Sequence, residues 1–150
     1  MTPFEGSKCL LLLHLGWKED YFRLLDRAME QEDPLSPITL ELALCGSDTE
    51  AAINVLAFDC SVRSVPESKP MNWLKQTLYQ RYTNGTLTPQ RIAEIWQIVF
   101  SNYDVWEDRF WFQLQFLWDY LEDGYDARPY LEECFSIFEQ ELKEGEKPCS

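Results

Sequence analysis

The chain is poor in the residues that carry out chemistry. Its single histidine, His14, stands in an apolar run with no serine, cysteine or carboxylate at useful helical spacing. Nucleophilic catalysis needs a base within hydrogen-bond reach of its nucleophile, so His14 reads as a structural imidazole. The six glycines fall mostly at helix ends, which leaves little material for a phosphate cradle. There is no G-x-S-x-G, no H-E-x-x-H and no calcium-loop spacing. The five cysteines, Cys9, Cys45, Cys60, Cys134 and Cys149, are scattered, odd in number and contain no C-x-x-C. They form neither a disulfide framework nor a zinc site, and they suit a reducing compartment. Long apolar runs are missing as well. Leu10–Leu13 is interrupted at His14 and followed by Lys18, Glu19 and Asp20, with no basic segment or cleavage site around it. It reads as neither a signal peptide nor a membrane span. These gaps predict a cytoplasmic protein with no catalytic residues, no metal and no cofactor.

Positive charge is the other shortage. The 150 residues include 26 acidic and 13 basic side chains, for a net charge of -13. Residues 1–60 carry 11 acidic and 4 basic groups, residues 61–100 carry 2 and 5, and residues 101–150 carry 13 and 4. Two acidic flanks bracket a mildly basic middle. Such a chain repels phosphate backbones and anionic lipid, so nucleic acid and membrane are poor direct ligands and a basic protein is the natural partner. Acidity also keeps a chain soluble, which is the plainer explanation. Aromatic residues are abundant at 15%, with six tryptophans. That much ring surface argues for a packed core rather than disorder, and the length suits one domain, 1–150.

Helical periodicity runs through the whole chain. Ser7 to Leu15 reads as a first apolar helix that stops at Gly16. Tyr21, Leu24, Leu25, Ala28 and Met29 mark one face of a second, over Trp17 to Gln31. Ser36-Pro37 and Thr88-Pro89 each place a capping hydroxyl before a proline at the first helical position. Ser47-Asp-Thr-Glu50 reads as a capping box with Ser47 at the cap. Residues 61–70, with Pro66, Pro70 and three serines, form the longest irregular segment, and Met71 to Tyr82 returns to helix. Val105 to Asp123 reads as one strongly aromatic helix, and a last helix follows from Ala127 to Lys143 with Asp126 as its cap. No stretch alternates like a strand. The expected fold is all-α, a single compact domain of seven or eight helices arranged largely as antiparallel pairs, with a loose tail over 145–150.

Carboxylates are the abundant reactive groups. Asp119, Glu122 and Asp123 share one helical face at i, i+3 and i+4, with Asp126, Glu132 and Glu133 close behind. Like charges so placed cost about 0.2–0.5 kcal/mol per pair. A solvated face, a docking patch for a basic partner, and a metal or acid–base site are the three readings, the last weakened by the lack of an accompanying histidine. In the aromatic helix, Phe110, Leu114, Leu117, Trp118 and Leu121 form a core stripe. Trp106, Trp111, Phe112, Phe116 and Tyr120 cannot all join it. Either the helix is buried on nearly every side or some rings are exposed. Exposed rings rimmed by carboxylates would be hot-spot chemistry, so the partner-binding candidates are Asp119, Tyr120, Glu122, Asp123, Asp126, Glu132 and Glu133.

Met71-Asn-Trp-Leu74 with Leu78-Tyr79, then Asn84-Gly-Thr-Leu87, Ile92-Ala-Glu-Ile95 and Phe100-Ser-Asn-Tyr103, form a recognisable series, and Glu41-Leu-Ala-Leu44 adds to it. Over about half the chain this resembles a family of small bacterial proteins, functionally uncharacterised, whose members often sit beside polymorphic-toxin genes. The resemblance implies an immunity-type protein that neutralises a cognate toxin effector domain, and it implies no catalytic residue. A non-catalytic helical adaptor is the alternative, and a DNA mimic or an enzyme working through carboxylates alone are weaker ones.

Overall fold

The computed structural model describes residues 1–146. Its regular structure is helical throughout, with nine helices and no strand among the described residues. In chain order they are α1 (Pro3–His14), α2 (Lys18–Gln31), α3 (Pro37–Cys45), α4 (Thr49–Val62), α5 (Ser68–Thr83), α6 (Pro89–Asn102), α7 (Arg109–Leu114), α8 (Leu117–Glu122) and α9 (Arg128–Glu146). Contacts between residues group them into two compact units, Met1–Trp73 and Leu74–Ser150. Of the tail expected over 145–150, Gly145 and Glu146 continue α9, and 147–150 lie outside the described residues.

Local signals set most helix ends. Ser36 and Thr88 cap α3 and α6 through hydrogen bonds from the Thr39 and Arg91 amides, each with proline next in line. Thr2 does the same for α1, accepting from the Glu5 amide at 3.1 Å while its hydroxyl donates to the Glu5 carboxylate. The cap of α4 is one residue later than the Ser47 box suggests: Asp48 accepts from Ala51 at 3.1 Å. The reason is the preceding turn. Gly46 takes a positive φ of 56° and the Asp48 amide donates back to Cys45, so the chain enters the helix at Thr49. The irregular stretch expected over 61–70 shrinks to residues 63–67, and Pro70 sits in the first turn of α5, where its missing N–H costs nothing.

The first unit packs α1 against α2 and α4, with α3 between α2 and α4. Cys9, Leu12, Tyr21, Leu25, Ile38, Leu42 and Leu56 form its core. Glu32 closes one edge. The Met1 ammonium donates to it at 2.5 Å, the Ser36 amide at 2.9 Å and the buried Thr39 hydroxyl at 3.0 Å. Desolvation opposes ionisation of Glu32, but these donors outweigh it and hold the carboxyl at about 2. In the second unit α6 packs on α7 and α8, and α7 packs on α9. Ile92, Val99, Phe110, Trp111, Leu114, Leu117, Leu131 and Phe138 are buried there.

Candidate functional site

The aromatic stretch is two short helices rather than one long one. Trp96 supplies the cause: its indole N–H donates to the Trp111 carbonyl at 3.0 Å. In an unbroken helix that carbonyl would accept from the Gln115 amide. Gln115 instead donates to Phe112, three residues back, and Asp119 likewise donates to Phe116. The ladder slackens at Gln115 and Phe116 and resumes in α8. Ahead of α7, the chain makes a turn through Trp106 before Asp108 caps the helix, accepting from the Trp111 amide at 3.1 Å.

Asp108 is itself held from inside. The Lys75 ammonium, 1% exposed, donates to its other oxygen at 2.5 Å and to Glu141 of α9 at 3.4 Å. The same ammonium lies 5.5 Å from the ring centres of both Phe110 and Phe138. With α7 pinned this way, Phe110, Trp111 and Leu114 face the core and the opposite side looks outward. Trp106 is 68% exposed and Phe112 49%, and Phe116, Tyr120 and Tyr125 are exposed as well. Both alternatives for the aromatic helix are thus partly realised. Trp111 is fully buried, and Trp106, Phe112, Phe116 and Tyr120 are not.

Two hollows mark this surface. One, of about 420 Å³, is lined by Trp106, Arg109, Phe112 and Gln113, with Ile137 and Gln140 from α9. Trp106 is braced by Phe100, edge to face at 5.2 Å, and Phe112 meets Phe116 the same way at 6.4 Å. The other, of about 270 Å³, is lined by Asp119, Tyr120, Asp123 and Tyr125. A glycine turn builds it. Gly124 adopts φ 76°, the Tyr125 amide donates to Tyr120 and the Gly124 amide to Leu121. This closing motif brings the residue after the glycine onto the helix turn before it, so Tyr125 packs on Tyr120 at 6.2 Å. Tyr120 also stacks on the buried Tyr130 ring at 4.5 Å, and the Tyr130 hydroxyl donates to the Gln113 carbonyl.

All seven carboxylate and tyrosine candidates are exposed. Asp119, Tyr120 and Asp123 come together in the second hollow. Asp126 does not join them. It accepts from the Arg128 amide at 3.1 Å and from the Arg128 guanidinium at 2.9–3.2 Å, and those side-chain bonds first, then the amide, hold its carboxyl below the ordinary range. Glu132 lines a third cleft with Tyr79, Tyr82 and Phe135. Glu122 and Glu133 line none of the three hollows. The Trp106–Phe112 hollow is absent from the candidates. An excess of rings over what one face can bury was the available signal, but which rings face outward depends on how α7 is anchored.

Burial pushes the Cys9 and Cys134 thiols up to about 12, keeping them protonated at neutral pH. Burial also lowers the pKa of His14, half-buried at the end of α1. Among the described residues no group of three or more His, Cys, Asp or Glu side chains is placed to hold a metal ion. Among them, too, no helix is long and apolar enough to cross a membrane. No protein-family model, curated protein or solved structure matches the chain.

Proposed function

We propose that this chain is a non-catalytic binding protein that captures a basic protein through the outer surface of α7 and α8. The observation that carries the reading is the exposure of Trp106, Phe112, Phe116, Tyr120 and Tyr125 on one short stretch, beside the acidic hollow of Asp119 and Asp123. Rings with carboxylates at their margin supply desolvated anchors and a complementary field for a cationic partner. The partner we put forward is a toxin effector domain, neutralised in the cytoplasm by occlusion of a basic surface. The series of residues between Met71 and Tyr103 supports that identity, as does a net charge of -13.

The test is calorimetric titration of the chain with the effector domain encoded beside its gene. Replacing both Trp106 and Phe112 by alanine is expected to weaken binding by about 2–4 kcal/mol, the range of a two-residue hot spot. The association rate should fall as salt is raised. Tight binding that ignores both changes would refute this placement of the surface, and no binding to any neighbouring gene product would remove the toxin identity.

A second reading has its own observation. In the first unit Leu40 and Leu44 of α3, and Phe58 and Val62 of α4, are exposed apolar pairs at i, i+4 spacing. A helical adaptor would use such a face to hold a further protein without inhibiting it. A ternary complex that survives loss of the α7–α8 surface would favour this reading over the first.

A further inference from the structure

We infer that the cleft between the end of α5 and the outer side of α9 is a socket for one cationic side chain, lysine or arginine, of the basic partner. It rests on the binding function proposed above but lies on different residues. The cleft holds about 310 Å³ and is lined by Tyr79, Tyr82, Phe135, Glu132 and Glu139, with the hydroxyl residues Thr83 and Ser136. On α9, Glu132, Phe135, Ser136 and Glu139 stand at i, i+3, i+4 and i+7, so one helical face supplies a ring and two carboxylates. On α5, Tyr79 and Tyr82 supply the other two rings. Tyr79 meets Phe135 at 5.2 Å with the planes tilted by 59°, and Tyr82 stacks on Phe135 at 5.8 Å and 26°. Phe135 is buried and forms the floor.

Two tyrosine rings beside a space, packed on a buried third ring and with carboxylates at the rim, are the chemistry that recognises an ammonium or guanidinium group. The ring quadrupoles attract the cation within about 6 Å of their centres. Among the described residues none that lines it is cationic. The ion pairs of the described residues leave Glu132 and Glu139 without a partner. Arg128, one turn before Glu132, bonds Asp126 and reaches Glu132 only through its charge. The Tyr82 phenol reports the local field: burial raises its pKa first, the Glu132 charge raises it further, and Arg128 only partly opposes them. An anionic occupant would face two carboxylates. An apolar one would strip water from both without repayment by a partner. Only a cation satisfies rings and carboxylates together.

The direct probe is N-acetyl-lysine methylamide, and in a second titration N-acetyl-arginine methylamide, added to the full chain and followed by aromatic NMR. Saturable shifts confined to the Tyr79, Tyr82 and Phe135 rings are expected, and they should vanish in the doubly substituted E132Q/E139Q chain. Both substituted positions are exposed, so that variant should keep its fold. Equal shifts with the uncharged N-acetyl-norleucine methylamide, or no saturable shift with either cation, would overturn the assignment. With the effector domain, Glu132→Gln and Tyr79→Leu should each weaken binding by about tenfold. Unchanged binding in these variants, with loss of binding when Trp106 is replaced, would sink the socket and leave the proposed function standing. The reverse pattern would keep the socket and move the main surface.

Discussion

Burying an ammonium group costs several kcal/mol of desolvation, which carboxylates placed against it offset. Lys75 has Asp108 and Glu141 for that purpose, and two phenylalanine faces beneath them. Removing the ammonium leaves Asp108 partly buried and its cap on α7 weakened. Lys75→Ala should therefore lower the unfolding free energy by about 3–5 kcal/mol in urea denaturation. Lys75→Met, which refills the volume, should cost clearly less. If alanine and wild type unfold at the same urea concentration, the network is not what anchors α7. The sequence hides this residue. Its partners lie 33 and 66 positions away, and a lysine in an amphipathic helix ordinarily points to water. Ser36 and Thr88 are legible for the opposite reason, because a cap and its amide are three residues apart.

At the scale of elements, the length and ending of a helix are legible where glycine and proline write them, and hidden where tertiary contacts do. No glycine or proline falls between Val105 and Asp123, so nothing local announces the break at Gln115. The indole of Trp96, on another helix, sets it by taking the Trp111 carbonyl. Of the seven candidate residues, the sequence places Asp119, Glu122 and Asp123 on one helical face and Asp126, Glu132 and Glu133 just beyond it. The i, i+4 pair Asp119 and Asp123 survives the break because the Asp123 amide still donates to the Asp119 carbonyl. Glu132 is drawn to a different cleft by the α5 rings, which no periodicity on α9 alone could show. Gly124 is the element-level control point. A Cβ there meets nothing within 4 Å, so only its positive φ objects to a side chain. Gly124→Ala should cost about 1 kcal/mol of stability and weaken partner binding by loosening Tyr125 from Tyr120. Gly124→Asn should recover much of both, because asparagine tolerates the left-handed region. Thermal unfolding and titration of the two variants separate backbone strain from lost contacts. Equal behaviour of alanine and asparagine would rule out the φ argument.

For the whole molecule, the acidity is shared between the two units. Along the chain it sits in two flanks, but by unit it is even: residues 1–73 carry 12 acidic and 6 basic groups, and residues 74–150 carry 14 and 7. Three of the five cations of the basic middle are held by carboxylates. Arg63 pairs with Asp59, Arg91 with Glu94 and Lys75 with Asp108 and Glu141. With an excess of carboxylates in both, each unit presents a negative field to an approaching partner. The all-α class needed no such detail, since 3.6-residue periodicity and capping chemistry are enough to state it.

Trp106 alone among the six tryptophans is exposed. The protein consequently carries its own optical label on the surface proposed to dock. Trp106 should emit at longer wavelength than its less exposed companions and be the one that neutral acrylamide quenches most. Anionic iodide should reach it poorly and cationic caesium well, because the field around it is negative. A partner seated on the hollow should shift the emission to the blue and shield it from acrylamide, giving a binding isotherm without any attached dye.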